Sequence, residues 1–392
     1  MVFWTAVPVS IAFVAEVVFW ASVGMLMYVY LGYPTLLALV APFYRRPNKQ
    51  PGYYPTISVL IAAYNEEAHI GQKLAETLAL DYPFDKMEIL VVSDGSADRT
   101  DEIVNSCQDP RVKLLRIDAR KGKTNAQNEG VKQCRGEVIV FSDATAVYHP
   151  NALQYLACHY EDAQVGAVSG RYQYFDPKGE SPTGLGSVAF WNYENLIKKL
   201  QSRISTLTGC SGCIYSVRKS IYTPLSAASC SDLVEPLHVV RNGYRVVFED
   251  RALAYEETTK SAGEEFGMRV RVVTRGIRGI LSVHELLSFW KYGWISFQLI
   301  SHKVLRWLVP FSLIVLLLSN AALVQIPVYR LLFVLQILFY SFGLLSMVVP
   351  LHRRWKPLGI PLYFCTLNAA ALFGLFQILR GQKYVVWETI RK

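Results

Sequence analysis

Residues 56–64 read TISVLIAAY, and the chain turns polar at once with Asn65-Glu66-Glu67. A β-branched apolar run of this length, closed by turn residues, predicts a strand buried on both faces, the pattern of a parallel sheet. Three further runs repeat it: EILVVSD at 88–94, VKLLRI at 112–117 and EVIVFSD at 137–143. Between them lie Glu67–Leu80, Asp98–Cys107 and Lys123–Cys134, polar segments whose apolar residues have helical spacing. This alternation predicts an α/β fold of doubly wound type with a mainly parallel sheet. Ligands of such sheets bind beyond the carboxyl ends of the strands. The residues that end the strands are therefore the first site candidates: Tyr64 with Glu66, Asp94 with Ser96, and Asp143 with Thr145.

Outward from these strands the composition changes. The 392 residues are 52% hydrophobic and only 18% charged, against about 25% charged in soluble domains. These figures exclude a disordered chain, a collagen and a small disulfide scaffold. Residues 1–44 hold a single charge, Glu16. The stretch is too long for a cleavable signal, whose apolar core is roughly 7–15 residues, and reads as an N-terminal transmembrane anchor within about residues 14–42. Residues 306–325, 331–350 and 358–379 are three more runs of about the 20 residues that cross a bilayer as helix. The expected organisation is thus an anchor at 1–44, one globular domain at 52–280, an amphipathic interfacial helix region at 281–305 and a C-terminal transmembrane region at 306–392. Within 281–305, the interfacial helix is placed at 282–300, where seven large apolar residues alternate with His284, Glu285, Lys291 and Gln298.

Net charge is +9, compatible with nucleic acid, an anionic membrane or a phosphorylated substrate. The basic residues gather at Arg45, Arg46 and Lys49, at Arg269–Arg278, and at Arg353, Arg354 and Lys356. That distribution reads as membrane flanks plus one anion site, and it lacks the continuous basic face and base-reading motifs of a nucleic-acid binder. Positive flanks stay inside, so Arg45 and Arg46 place the central domain in the cytoplasm of a multi-pass protein of the cell membrane. The rule then conflicts with Arg380, Lys383, Arg391 and Lys392, which three spans after that domain leave outside. Seven cysteines, an odd number without regular spacing, do not make a disulfide framework and fit a reducing compartment.

Four strings occur in one order: Ala62-Ala63-Tyr64-Asn65-Glu66; Asp94-Gly95-Ser96; Lys121-Gly122-Lys123 followed by Ala126-Gln127-Asn128-Glu129-Gly130; and Ser142-Asp143-Ala144. In this order the region 55–280 resembles the membrane-embedded glycosyltransferases of family 2, the inverting relatives of cellulose, chitin and hyaluronan synthases. The resemblance implies a GT-A fold in which a nucleotide sugar lies across the carboxyl edge of the sheet. By the same resemblance, Ala63, Tyr64, Glu66 and Asp94 lie at the nucleoside, Lys121 and Lys123 meet a phosphate or the base, and Asp143 leads an Asp-x-Asp motif holding Mg²⁺ or Mn²⁺. Thr145 stands where a second Asp is usual, and a hydroxyl is a poorer ligand for a hard cation than a carboxylate.

Inverting sugar transfer needs a base for the acceptor hydroxyl. Asp232, in Ser231-Asp232-Leu233-Val234-Glu235, occupies the matching region, with Glu235 second and a plain helix cap as the other reading. Gly209, Cys210 and Ser211 match the acceptor-side loop; the Cys210/Cys213 spacing has no second pair for zinc. Where processive members carry Gln-x-x-Arg-Trp this chain has Arg269-Val270-Arg271-Val272-Val273-Thr274-Arg275. Arg271 and Arg275 suit a pyrophosphate, and the missing Trp leaves sugar stacking to Trp290 or Trp294. The implied activity is transfer from a UDP-type sugar to a growing extracellular polysaccharide. A lipid carrier as acceptor is the alternative, and an inactive scaffold is the second.

Overall fold

The computed structural model describes residues 9–44, 46, 49–175, 184–257, 261–349, 356–382 and 384–386. Expectations resting on Arg45, Arg353, Arg354, Lys383, Arg391 and Lys392 lie outside the described residues.

The chain opens with α1 (Val9–Met27), which runs through a π-helical turn into α2 (Tyr33–Val40). The alternating region follows as β1 (Ile57–Ala63), α3 (Ile70–Leu78), β2 (Met87–Asp94), α4 (Thr100–Asn105), β3 (Val112–Ile117), α5 (Lys123–Gln133) and β4 (Val138–Asp143). Next come β5 (Val147–Tyr148), α6 (Ala152–Ala157), β6 (Val165–Phe175), α7 (Gly184–Ile204), β7 (Ile214–Arg218), α8 (Ser231–Arg241) and β8 (Arg245–Glu257). Six further α-helices are described: α9 (Ala262–Ser282), the short α10 (Phe289–Tyr292) and α11 (Trp294–Leu299), then α12 (Leu305–Ala322), α13 (Pro327–Val348) and α14 (Gly359–Leu379), with 3-10 turns at His284–Leu287 and Lys356–Leu358.

The sheet runs β3-β2-β1-β4-β7-β6-β8-β5. β1 pairs in parallel with β2 and β4, whereas β7 is antiparallel to β4 and β6. The α/β expectation holds, with the parallel half completed by an antiparallel junction that no repeat in the sequence announced. Alternation along β1 shows why it is central: Ile57, Val59, Ile61 and Ala63 enter one core and Leu60 and Ala62 the other. Each such large aliphatic burial contributes about 1.5–3 kcal/mol. Ser58, on the same strand, is satisfied by bonding Glu88 at 2.7 Å and accepting the Gly136 N–H at 2.8 Å. A Cβ at Gly136 would stand 2.5 Å from the Ile57 backbone, so only glycine fits there.

Four helical stretches are long and apolar enough to cross a membrane: Ser10–Phe43, Trp294–Ala322, Pro327–Ser346 and Gly359–Leu379. The second begins well before the expected start at 306, because a π-helical turn at Ile300–Val304 joins α11 to α12 without a break. Consequently no single amphipathic helix covers 282–300. Gly293, at φ +53°, separates α10 from α11, and the amphipathic pattern is divided between a short surface helix and the root of a span. The long helices dock on the globular part: Tyr33, Leu37 and Ala41 pack with Ile197 and Ile204 of α7, and Thr274 of α9 bonds the Gly374 carbonyl of α14 at 3.3 Å.

Candidate active site

The first two strand ends brace each other. Asn65, in the left-handed region at φ 53°, accepts the Ala97 N–H at 2.8 Å on Oδ1 and donates its own N–H to Ser96 Oγ at 3.1 Å. Glu66 is thereby aimed into a cavity, its carboxylate also bonded to His69 Nδ1 at 3.1 Å. Asp94 behaves differently: fully buried, it accepts the Lys121 N–H at 2.9 Å and the Gly122 N–H at 2.7 Å, one on each oxygen. Gly122 can take the needed φ of +97°. Asp94 thus shapes the turn that launches α5 instead of facing the cavity, and Ala63 is enclosed in the sheet core. Tyr64 carries the Arg120 guanidinium 3.9 Å over its ring.

At the end of β4, Asp143 pairs with Lys123 of α5. Burial would lower the Lys123 ammonium, but Asp143, with Asp232 and Glu256 nearby, raises it above the ordinary lysine range. Thr145 donates its hydroxyl to Glu256, near the end of β8, at 2.8 Å. A second carboxylate, one that sequence reading did not single out, therefore stands beside the position where the Asp-x-Asp pattern lacks one. These groups line a cavity of about 310 Å³ together with Asp232, Arg271 and Arg275. Arg275 is held at its wall by donating to Thr124 Oγ1 at 2.9 Å and to the Ser229 carbonyl.

Asp232 lies in the first turn of α8. Its carboxylate accepts the Cys230 thiol at 2.9 Å, and its carbonyl accepts the Cys210 N–H at 2.7 Å, locking the 209–213 loop against the helix. Gly212 leaves room for this: a Cβ there would stand 2.8 Å from Asp232 Oδ2. Burial pushes the Cys210 thiol up to about 12, so it is no thiolate ligand. Glu235, one turn further, is fully buried, receives the Thr223 N–H at 3.4 Å and lines neither cavity. Burial pushes its carboxyl up to about 8.

Residues 58–224 match the family model "Glycosyl transferase family 2". This region is a family 2 glycosyltransferase domain. The poly-beta-1,6-N-acetyl-D-glucosamine synthase of Staphylococcus epidermidis is 28% identical over 246 residues, 60% of this chain and 56% of that protein. A probable glycosyltransferase YdaM of Bacillus subtilis is 31% identical over 221 residues, 52% of this chain and 51% of its own. The chain thus spans about half the length of the curated relatives it matches. The mannosyltransferase PcManGT from Pyrobaculum calidifontis, solved in complex with GDP-Man and Mn2+, shares the fold with a TM-score of 0.68 at 19% identity, over 93% of this chain and 100% of that one.

The transferase domain continues into a second cavity, of about 420 Å³, whose walls are shared between α7 and the spanning helices. Asp232, Cys230, Trp191, Arg269 and Val272 line both cavities, so the Asp232 carboxylate stands at their junction. Gly209 and Cys210 face the second cavity; Ser211 is buried behind it and accepts Lys198 Nζ at 2.8 Å. Burial lowers the Lys198 ammonium, with Glu194 raising it part of the way back. Among the described residues lining the two cavities, Lys121, exposed, and Trp290, 96% exposed, are absent. Trp290 sits on α10, whose Tyr292 packs against the cluster of Leu233 and Leu237 while the Trp290 ring stays in solvent, and the aromatic ring at the junction is Trp191 of α7. Trp191 and Glu194 had no motif; their signal was an aromatic, an acid and Lys198 on one helical face at three- and four-residue spacing.

Proposed function

We propose that this chain is an inverting membrane glycosyltransferase that moves a sugar from a nucleoside-diphosphate sugar, of the UDP type, to the growing chain of an exported polysaccharide. The observation that carries this reading is the position of Asp232 between a polar cavity at the carboxyl edge of the sheet and a second one walled by helices apolar enough to span a membrane. The donor occupies the first cavity and the acceptor reaches Asp232 from the second. The names of the staphylococcal relatives support a glycan polymer as product.

In this reaction the Asp232 carboxylate takes the proton of the acceptor hydroxyl as its oxygen bonds the anomeric carbon from the face opposite the diphosphate. The electron pair of the breaking C–O bond leaves with the diphosphate. Lys123, Arg271 and Arg275 supply the positive charge that stabilises it, the largest electrostatic task in such a step. Tyr64, Glu66 and Asp94 hold the nucleoside end, Asp94 through the turn it braces. Among the described residues no three His, Cys, Asp or Glu side chains form a metal-holding group. Asp143, Glu256 and the Thr145 hydroxyl nevertheless offer the oxygen donors that Mg²⁺ or Mn²⁺ prefer, and diphosphate oxygens and water complete such a shell. A bound ion there would add charge neutralisation at the departing diphosphate. We assign the catalytic part to residues 52–280 and place it on the cytoplasmic side, where donor nucleotides are made.

The test is incubation of the purified full chain with a panel of radiolabelled sugar nucleotides and Mn²⁺, followed by sizing of the product. A polymer ladder that Asp232→Asn abolishes is expected. Nucleoside diphosphate release that survives both Asp232→Asn and Asp143→Asn would overturn the assignment.

A further inference from the structure

Cys230 stands at the head of α8, and its side chain does not serve the helix. A residue in that place ordinarily turns a side-chain oxygen onto the free N–H groups of the first turn. The Cys230 side chain accepts none of them; its backbone carbonyl takes the Leu233 N–H at 3.1 Å and the Val234 N–H at 2.9 Å. The thiol, which is in no disulfide, instead aims its hydrogen at Asp232 Oδ1, 2.9 Å away. Cys230 and Asp232 both line both cavities, so this bond lies where the two chambers meet.

The rest of Asp232 is held by its surroundings. The Cys210 N–H grips its carbonyl at 2.7 Å, which fixes the backbone, and a short side chain then has only two torsions left. With Oδ1 on the thiol, Oδ2 falls beside Gly212, where a Cβ would stand 2.8 Å from it, and Gly212 lines the first cavity and not the second. Among the described residues Oδ2 accepts no hydrogen bond. The kind of donor matters as well. A thiol is a weak one, so it sets a direction without strongly favouring the charged carboxylate, whereas an ammonium or guanidinium in its place would make a poorer base. Burial, with Asp232 beside it, pushes the Cys230 thiol well above its ordinary range, so the sulfur keeps its hydrogen and remains a donor.

From the bond to Oδ1 and the open position of Oδ2, we propose that Cys230 is a positioning residue for sugar transfer, its thiol turning the Asp232 carboxylate so that Oδ2 meets the acceptor hydroxyl. The proposal rests on the transferase reading and assigns the atom that takes the proton. In the step, the hydroxyl proton passes to Oδ2 as the hydroxyl oxygen bonds the anomeric carbon, and the electron pair of the breaking C–O bond leaves with the diphosphate. The thiol hydrogen stays on sulfur.

The experiment measures steady-state transfer by the purified full chain, with UDP binding and thermal unfolding alongside, for Cys230→Val and Cys230→Ser. Valine is close to cysteine in volume and has no donor; serine keeps one. Cys230→Val is expected to lower kcat about ten- to a hundredfold, with acceptor KM and UDP affinity within about twofold of the parent, and Cys230→Ser to stay within about threefold of the parent kcat. In an Asp232→Asn background Cys230→Val should change the residual rate by less than about twofold, because no carboxylate is left to aim. Should Cys230→Val fail to fold, Cys230→Ala takes its place. A parent-like kcat in the valine variant overturns the proposal. So does a serine variant that falls as far as valine, a valine effect of equal size with Asp232→Asn, or a melting temperature and UDP affinity that drop together with kcat. Those outcomes leave the transferase reading standing; absence of transfer by the parent chain from any sugar nucleotide overturns that reading and this proposal with it.

Discussion

The two cavities that meet at Asp232 are built on opposite principles. In the first, Glu66, Asp143, Asp232 and Glu256 face Lys123, Arg269, Arg271 and Arg275, four acids against four bases among the described residues. In the second, two acids face four bases inside a mostly aromatic and aliphatic wall. The first is set on strand ends and helix heads, with acids and bases in equal number, the balance that the proposed diphosphate donor and its cation call for. The second is walled in part by helices long and apolar enough to cross a membrane. Preorganised charge on stiff elements suits the bond-breaking end of a transfer, and an apolar, cationic chamber suits delivery of the other substrate.

The largest way to break this comparison is at the shared residue. Asp232→Asn is expected to lower kcat for sugar transfer about 10²- to 10⁴-fold while donor affinity, read by equilibrium binding of UDP, stays within error. Gly212→Ala comes next: the new Cβ, 2.8 Å from Asp232 Oδ2, pushes the carboxylate off line, for a loss of roughly 10²-fold in kcat with little change in melting temperature. A change in both together would assign Gly212 to folding instead. Glu256→Gln sharpens the first cavity alone; titration calorimetry should show Mn²⁺ affinity reduced about tenfold or more, and an unaltered affinity would remove Glu256 from the cation site.

Glu235 is the control on the same helix. Its carboxyl titrates at about 8 against an ordinary 4.5 because it is buried, so between those values the folded chain keeps a proton that the unfolded chain has lost. Stability therefore falls as pH rises through that window. Glu235→Gln should flatten the fall and stabilise the protein by on the order of 1 kcal/mol or more at its upper end, seen in thermal unfolding. Smallest of all, Trp290→Ala should change transfer rates by less than about twofold, since the ring is 96% exposed and outside both cavities.

Much of the first cavity was legible because its residues end consecutive strands, and strand ends of a parallel sheet share one edge by geometry. Asp143 and Glu66 are brought there by that rule and Lys123 by the turn after β3, whereas the arginines of α9 reach the cavity only through the packing of that helix, where Arg275 meets Thr124 and Ser229. Glu256 was not legible, because β8 joins the sheet through a parallel pairing with β6 some eighty residues earlier, and no local pattern states which distant strands will pair. Asp94 shows the opposite failure: its position was read correctly, but its burial and its two backbone partners give it the turn, not the cavity. Trp290 failed for a single glycine, Gly293, whose positive φ divides what the hydrophobic pattern presented as one helix.

The order of polar and apolar segments by itself determined that this chain pairs an α/β domain with helices able to cross a bilayer, since hydrophobic period and run length answer only to local chemistry and to the thickness of a membrane. Tertiary structure alone decided that Lys198, Lys303 and Arg306 share one chamber with Asp232. Charges on three separate helices acquire a common meaning only when packing removes water from between them.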